Sequence, residues 1–376
     1  MILVNDLFLE GNEKKYLEQC INTGWISSEG PFVRRFEEEF ASFVGVRHGI
    51  AVCNGTAALE TALFALGVKN GDEVIMPSFT IISCAIACIR LGVKPVLVDI
   101  EPETWTMDVS QIEAKISPRT KVIMPVHIYG HPVNMDGIFS LSAKYHLKVL
   151  EDFAEAQGAE YHSEYSGGKW LKCGAMSDIS ATSFYANKII TTGEGGMVLT
   201  NNDESARRAR SYRNLCFKEE KRFHHTELGY NFRMSNLQAA VGVAQLEQIE
   251  RFIKIKVKLA DYYRNKLSQI KGIRFMPAKP CAKSIYWVYA VELDPRLKVE
   301  AEVVMAKLKK HGVGTRPFFK GLHAQPALND LSLFVNEKYP CTDFAADYGF
   351  YLPSGLKLTE SQVDIVVDTL KKELAA

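Results

Sequence analysis

The chain has no apolar run of membrane-spanning length. Its most hydrophobic stretch, IISCAIACIRLGV from Ile81, is broken by Arg90 and falls short of the roughly 20 residues a bilayer requires. Net charge is also nearly absent: 45 Lys plus Arg face 44 Asp plus Glu across 376 residues. No global field therefore exists to hold DNA, RNA or an anionic membrane, and an anionic ligand must be caught locally. The eight cysteines (20, 53, 84, 88, 173, 216, 281, 341) form no CxxC pair and no Cys/His cluster at zinc spacing. Reduced, mostly buried thiols and no metal site are expected. The opening MILVNDLFLEGNEKK lacks the basic segment and apolar core of a signal peptide, so a cytoplasmic protein is expected. Nor is there a repeat of fixed period or a GxGxxG after an early strand; the GEGG cluster precedes a strand instead of opening a helix. Both facts argue against a dinucleotide-binding oxidoreductase.

What is present is alternation. From about residue 49, short β-branched runs (GIAVC, EVIMP, PVLVDI, KVIMPVHIYG, LKVLEDF) are interleaved with helical patterns such as NGTAALETALFAL and SCAIACIRLG. This spacing predicts an α/β fold with a mostly parallel sheet between two helical layers, and ligands at the carboxyl ends of its strands. ISATSFY and GGMVLTN add two strands. A long amphipathic pattern from Ser235 to Leu267 leads out of this unit, placing a boundary near residue 250. The expected organisation is a large unit over 1–250, including the N-terminal segment, and a smaller α/β unit over 251–376. In the latter, SIYWVYAVEL reads as a strand, VEAEVVMAKLKKHG as a helix and LTESQVDIVVDTLKKEL as a terminal helix capped by Thr359.

Three stretches carry chemistry. Asn54-Gly55-Thr56 lies between a strand and an Ala-rich helix, where free N–H groups and the helix dipole favour a phosphate. Asp152, ending the strand VLEDF, is placed to pair with a protonated ring nitrogen and keep it cationic. Lys188, in SFYANKIITTGEGG, follows a strand in a polar, Gly-rich turn suited to Schiff-base formation with an aldehyde cofactor, and Ser183 on that strand is a further phosphate donor. Taken singly, each has a plain structural reading: a capped turn, a helix cap, a solvated lysine.

Taken in order, NGT, EDxAEA and SFYxNKxxTTGEGG resemble the sugar aminotransferase family of the fold-type I pyridoxal-phosphate enzymes. The likeness extends to TGWISSEGPFVRRFEEEFA, GDEVIMPSFT, LGYNFRMSNLQAAVGVAQLE and GVGTRPFFKGLH, and so to nearly the whole chain. Within the family, the WISS, NKIITTGEGG and GYNFRM segments are similar to those of GDP-perosamine synthases. The resemblance implies a fold-type I aminotransferase that uses pyridoxal 5'-phosphate, with pyridoxamine phosphate as its alternate form. It implies Lys188 as the cofactor lysine and proton shuttle, Asp152 at the ring nitrogen and Glu155 near the phenolic oxygen. Gly55, Thr56 and Ser183 would meet the phosphate, and Asn231 would reach the phosphate of a neighbouring subunit in a homodimer. The reaction implied moves an amino group from L-glutamate to a nucleotide-linked 4-keto-6-deoxy sugar, first of all GDP-4-keto-6-deoxymannose. Alternatives are another nucleotide keto-sugar, 3-keto or carried on UDP or dTDP, and a pyridoxamine-dependent sugar dehydratase; relatives of that last kind have histidine in place of Lys188.

For the substrate, Arg316, Lys320 and His323 in TRPFFKGLH are the candidate cations, and Trp25 and Ser27 the candidate sugar-pocket residues. His127 is expected to be structural. Two departures from the family pattern stand out. Ile81 follows Pro77-Ser78-Phe79-Thr80 where relatives carry an aromatic residue that stacks on the cofactor ring, leaving Ile81, or Phe79 after rearrangement, to cover it. Lys320 stands where perosamine synthases tend to have histidine.

Overall fold

A computed structural model of the chain describes residues 1–218 and 221–375. The first strands are β1 (His48–Val52), β2 (Glu73–Pro77), β3 (Lys94–Val98), β4 (Thr120–Ile123) and β5 (Lys148–Asp152). The hairpin β6 (Glu160–Ser163) and β7 (Lys169–Lys172) follows, then β8 (Ile179–Ser183) and β9 (Gly196–Thr200). Seven of these form one sheet in the order β1-β9-β8-β5-β4-β2-β3. The block from β8 to β3 is parallel, whereas β9 runs antiparallel to both β8 and β1. Parallel neighbours need crossovers: Ser83–Arg90 joins β2 to β3 and Met135–Tyr145 joins β4 to β5, while Gly55–Leu66 carries the chain from β1 to β2 across the sheet. β2 is consequently buried along its whole length, including Glu73, whose carboxylate is held by Arg119 at 2.8 Å.

A second, antiparallel sheet comprises β10 (Ile273–Phe275), β12 (Tyr289–Leu293), β13 (Arg316–Pro317) and β14 (Gly349–Leu352), in the order β10-β12-β14-β13, while the short β11 (Ala282–Lys283) pairs with β6. The helices Ala301–Lys310 and Glu360–Ala375 belong to this half. The first residues, grouped by the sequence with the large unit, are hydrogen-bonded here instead: Ile2 exchanges bonds with Gly312 and Gly314, and Val4 O accepts the Ser354 N–H at 2.9 Å. No helix among the described residues is long and apolar enough to cross a membrane.

Two local readings change. The amphipathic run from Ser235 is two helices, Asn236–Leu246 and Ile249–Leu267. The first opens with a Ser235/Gln238 capping box and packs on the helix Pro31–Val44; the second packs on the C-terminal helix. Between them Glu247 is pinned by Tyr16 (2.6 Å) and Asn12 (2.7 Å), and Gln248 leaves the helical region at φ −112°, ψ 0°. The strand read in SIYWVYAVEL is confined to Tyr289–Leu293; before it Tyr286 adopts a positive φ of 47°, outside the strand region, and the Ile285 N–H is bonded to Gly130 O.

Candidate active site

The carboxyl ends of β1, β5 and β8 meet at one cavity of about 330 Å³. At one end the helix Gly55–Leu66 begins directly after β1. Asn54 caps it, its Oδ1 accepting the Ala57 N–H at 2.8 Å, and the remaining first-turn N–H groups are the ordinary anion-binding device of a helix start. Gly55 is required by approach: a Cβ there would lie 2.8 Å from the Ser183 Cβ. Thr56 Oγ1 donates to Ser83 Oγ at 2.8 Å. Gly55, Thr56 and Ser183 thus form one cradle of hydroxyl and backbone donors.

At the other side, Asp152 ends β5 and is buried; its carboxylate accepts the Ala154 N–H at 3.0 Å and the Cys84 thiol at 3.4 Å. Burial raises its pKa above the ordinary aspartate range, the Ala154 bond and the Lys188 charge opposing. Lys188 lies in the loop 184–195 that joins β8 to β9. Its Nζ donates to Glu155 Oε1 at 3.3 Å and sits 4.1 Å from the centroid of the Trp287 ring. Glu155 in turn accepts the Tyr129 N–H at 2.9 Å, and burial pushes its pKa up, with Lys188 the main opposing influence. The Trp287 indole N–H donates to Asn187 O at 2.7 Å, and the side-chain amide oxygen of Asn187 is buried at the same wall without a hydrogen-bond partner among the described residues.

A phosphate cradle, a buried carboxylate and an amine arranged around one cavity fit pyridoxal phosphate: they match its phosphate, its ring nitrogen and its aldehyde. Filling the cradle tests this. Gly55→Val is expected to weaken cofactor binding by about tenfold or more, from lost N–H approach, and to lower thermal stability as well, from the clash at Ser183; equilibrium dialysis against pyridoxal phosphate measures the first and thermal denaturation the second.

Ile81 lines the cavity at 44% exposure, whereas Phe79 is fully buried against Tyr129, Phe318 and Phe319 and does not serve as a ring cover. The cover on that side is aliphatic. Ile81→Phe is expected to tighten cofactor binding about two- to tenfold, the range of an added aromatic pair, in the same dialysis measurement.

A second cavity of about 780 Å³ adjoins the first and shares Tyr185, Asn187, Trp287 and Tyr351 with it. Residues 1 and 3–7 line it, together with Lys309 and Arg316. Of the expected substrate residues, Arg316 alone is there. Lys320 is exposed outside both cavities, and His323 is engaged by Asp343 at 2.9 Å and by the Tyr339 ring. Trp25 and Ser27 are exposed on a turn whose carbonyls are tied to Asn236, and Asn231 is exposed beside Asn214; none of the three lines either cavity of its own chain.

His127, Glu151 and Cys173 lie close together, but the site is saturated. Glu151 accepts from His127 Nε2 (2.9 Å), Gly174 N, Met176 N and Ser177 Oγ (each 2.8 Å), while His127 Nδ1 accepts the Val133 N–H. It is a buried hydrogen-bond network that ties the β5 end to the turn after β7. Sequence reading missed Trp287, Tyr351, Cys84 and Asn187. Only Asn187, adjacent to Lys188, carried a positional signal.

Comparison with known proteins identifies the family. The model of the DegT/DnrJ/EryC1/StrS aminotransferase family matches residues 8–371. The chain is 38% identical over 367 residues to the GDP-perosamine synthase of Caulobacter vibrioides, covering 97% of this chain and 96% of that one. It is 37% identical over 344 residues to the UDP-2-acetamido-2-deoxy-3-oxo-D-glucuronate aminotransferase of Pseudomonas aeruginosa, covering 91% and 90%. Among solved structures, DesV of S. venezuelae in complex with a ketimine intermediate superposes with a TM-score of 0.89 at 29% identity, over 97% of this chain and 95% of that one. With the fold, the cofactor-shaped cavity and these matches in agreement, the chain belongs to the DegT/DnrJ/EryC1/StrS family of pyridoxal-phosphate-dependent aminotransferases.

Proposed function

We propose that the chain transfers the amino group of L-glutamate to a keto-sugar carried on a nucleoside diphosphate, with GDP-4-keto-6-deoxymannose as acceptor and GDP-perosamine as product. The observation that carries this reading is Lys188, whose amine is held in the smaller cavity between Glu155 and the ring of Trp287, a residue that lines both cavities. Relatives of two acceptor types, a GDP-perosamine synthase and a 3-oxo uronate aminotransferase, match at 38% and 37% identity, so the acceptor is the part to be tested first.

Bound pyridoxal phosphate supplies an electron sink for the carbon that loses its proton. The chain's residues do the rest. Gly55, Thr56 and Ser183 would hold the cofactor's phosphate, and Asp152 would keep its ring nitrogen protonated. Lys188 Nζ would hold its aldehyde carbon and, as a free amine, would serve as the base for the proton of the donor α-carbon. Glu155 keeps that amine in place. In the overall exchange the donor loses its amino group and α-hydrogen and takes an oxygen from water to become 2-oxoglutarate, while the keto carbon of the sugar gains the amino group and a hydrogen and gives up its oxygen as water.

The larger cavity provides room for a nucleotide, and its wall carries two cations, Arg316 and Lys309, alongside the acidic Asp6 and Glu302, so a diphosphate would be held by direct contact with Arg316 and Lys309 and not by a net field. Arg316→Ala is expected to raise KM for the nucleotide sugar about tenfold while leaving the reaction with glutamate unchanged, as separate half-reaction kinetics will show. Asn231 stands on the surface beside exposed Tyr230 and Leu228, which suits a site completed by a second copy of the chain. The decisive experiment offers GDP-, UDP- and dTDP-linked keto-sugars with glutamate and follows the mass change of each. Amination of a non-nucleotide ketone alone overturns the reading.

A further inference from the structure

The helix Ile249–Leu267 carries a lysine on its buried face. Lys256 is only 4% exposed, and a buried ammonium is tolerated only where its hydrogen-bonding capacity is met. Its acceptors are neutral main-chain carbonyls: Nζ donates to Trp287 O at 2.8 Å and to Ser354 O. Two turns along the same helix, the Tyr263 hydroxyl donates to Pro353 O at 2.8 Å. Burial lowers the proton affinity of Lys256 to about 7, with the charge of Asp6 opposing. Keeping a lysine here, where an apolar side chain would avoid the desolvation cost, calls for a reason in what it ties together.

What it ties is the wall between the two cavities. Trp287 belongs to the irregular stretch before β12, so no sheet partner fixes its carbonyl. Its ring lies 4.1 Å from Lys188 Nζ, and its indole N–H binds the carbonyl of Asn187, the residue preceding Lys188. Ser354, the other acceptor, holds Val4 of the N-terminal segment that lines the larger cavity. We propose that Lys256 is a positioning residue of the active site, clamping the carbonyls of Trp287 and Ser354 so that the Trp287 indole stays against the Lys188 amine. The indole then does two things: it stabilises positive charge on the Lys188 nitrogen through its ring face, and it fixes the backbone at Asn187. Lys256 touches neither cofactor nor substrate; it acts through Trp287.

This inference rests on Lys188 being the cofactor lysine, and the visible absorbance of the unmodified, cofactor-loaded protein is the separate control for that assignment. The test is a double-mutant cycle on the loaded protein with Lys256→Met, Trp287→Leu and the pair, read as the pH midpoint of the visible band and as thermal stability. Lys256→Met is expected to lower the midpoint by about half a pH unit or more, because the nitrogen loses its cation–π partner. It is expected to add little further shift in the Trp287→Leu background. Lys256→Arg, which keeps a buried cation with several donors, should restore most of the midpoint. Should Lys256→Met fail to fold, Lys256→Gln, retaining a neutral donor, takes its place and should give a smaller shift in the same direction. An equal shift with and without the indole overturns the proposal, as does lowered thermal stability with an unmoved midpoint.

Discussion

Lys188→Ala is expected to lower turnover by about 10⁴-fold or more and to leave the protein without the visible band that covalent attachment of the cofactor produces. The structure gives the magnitude its reason. Among the described residues no second lysine lines the cavity, and the side chains recorded in direct contact with the Lys188 amine are Glu155, an acceptor, and Trp287, a ring. Neither replaces an amine that both holds the cofactor and carries the proton between carbons. Binding itself should persist, because the phosphate cradle at Gly55, Thr56 and Ser183 is independent of Lys188. Dialysis should therefore show pyridoxal phosphate retained non-covalently and removable, whereas borohydride reduction should fix it permanently in the unmodified protein alone. A small primary amine added to the variant should restore a measurable fraction of the proton transfer. A coloured, active Lys188→Ala protein overturns the assignment of that lysine.

Asp152→Asn should have the second largest effect: a fall in turnover of about 10²–10³-fold with the visible band still present. Asparagine keeps the volume and the acceptor for the Ala154 N–H, so the fold at the end of β5 is preserved. What is lost is the charge that holds the ring nitrogen protonated, an ion pair in a buried place where removing one partner costs about 3–5 kcal/mol. The pH profile supplies a sharper reading. Burial raises the Asp152 pKa, so in the free protein its carboxyl takes up a proton at higher pH than an exposed aspartate would as the solution is acidified. Cofactor capture should therefore weaken on the acid side, beginning above the ordinary aspartate range, and that limb should be missing in Asp152→Asn. Stopped-flow measurement of the glutamate half-reaction and cofactor titration across pH check both points.

The parts of the site that the sequence displayed share one property: each sits at the end of a strand whose pattern is local. Gly55 and Thr56 follow β1, Asp152 ends β5, Ser183 ends β8, and Lys188 occupies the loop that closes β8 onto β9. In a parallel sheet such ends collect on one edge, so recognising the strands was enough to bring these residues together. Trp287 had no such signal. It lies in an apolar run that reads as strand, and its place on the cavity wall shows only in tertiary contacts, its ring against Lys188 and its carbonyl against Lys256. His323 illustrates the converse. It stands in a loop whose composition suggests anion binding, yet its ring is taken up by Asp343 and Tyr339.

The sequence by itself therefore determined the α/β class, the strand-end constellation around Lys188 and, through resemblance, the family, because these depend on short-range periodicity and on residues fixed relative to their own strand. Tertiary structure alone decided which faces close the cavity: the aliphatic cover at Ile81, the burial of Phe79, the N-terminal segment laid against the second sheet, and the indole held against Lys188. Those are contacts between segments far apart in the chain, and their energies come from desolvation and packing at a meeting point that no local pattern encodes.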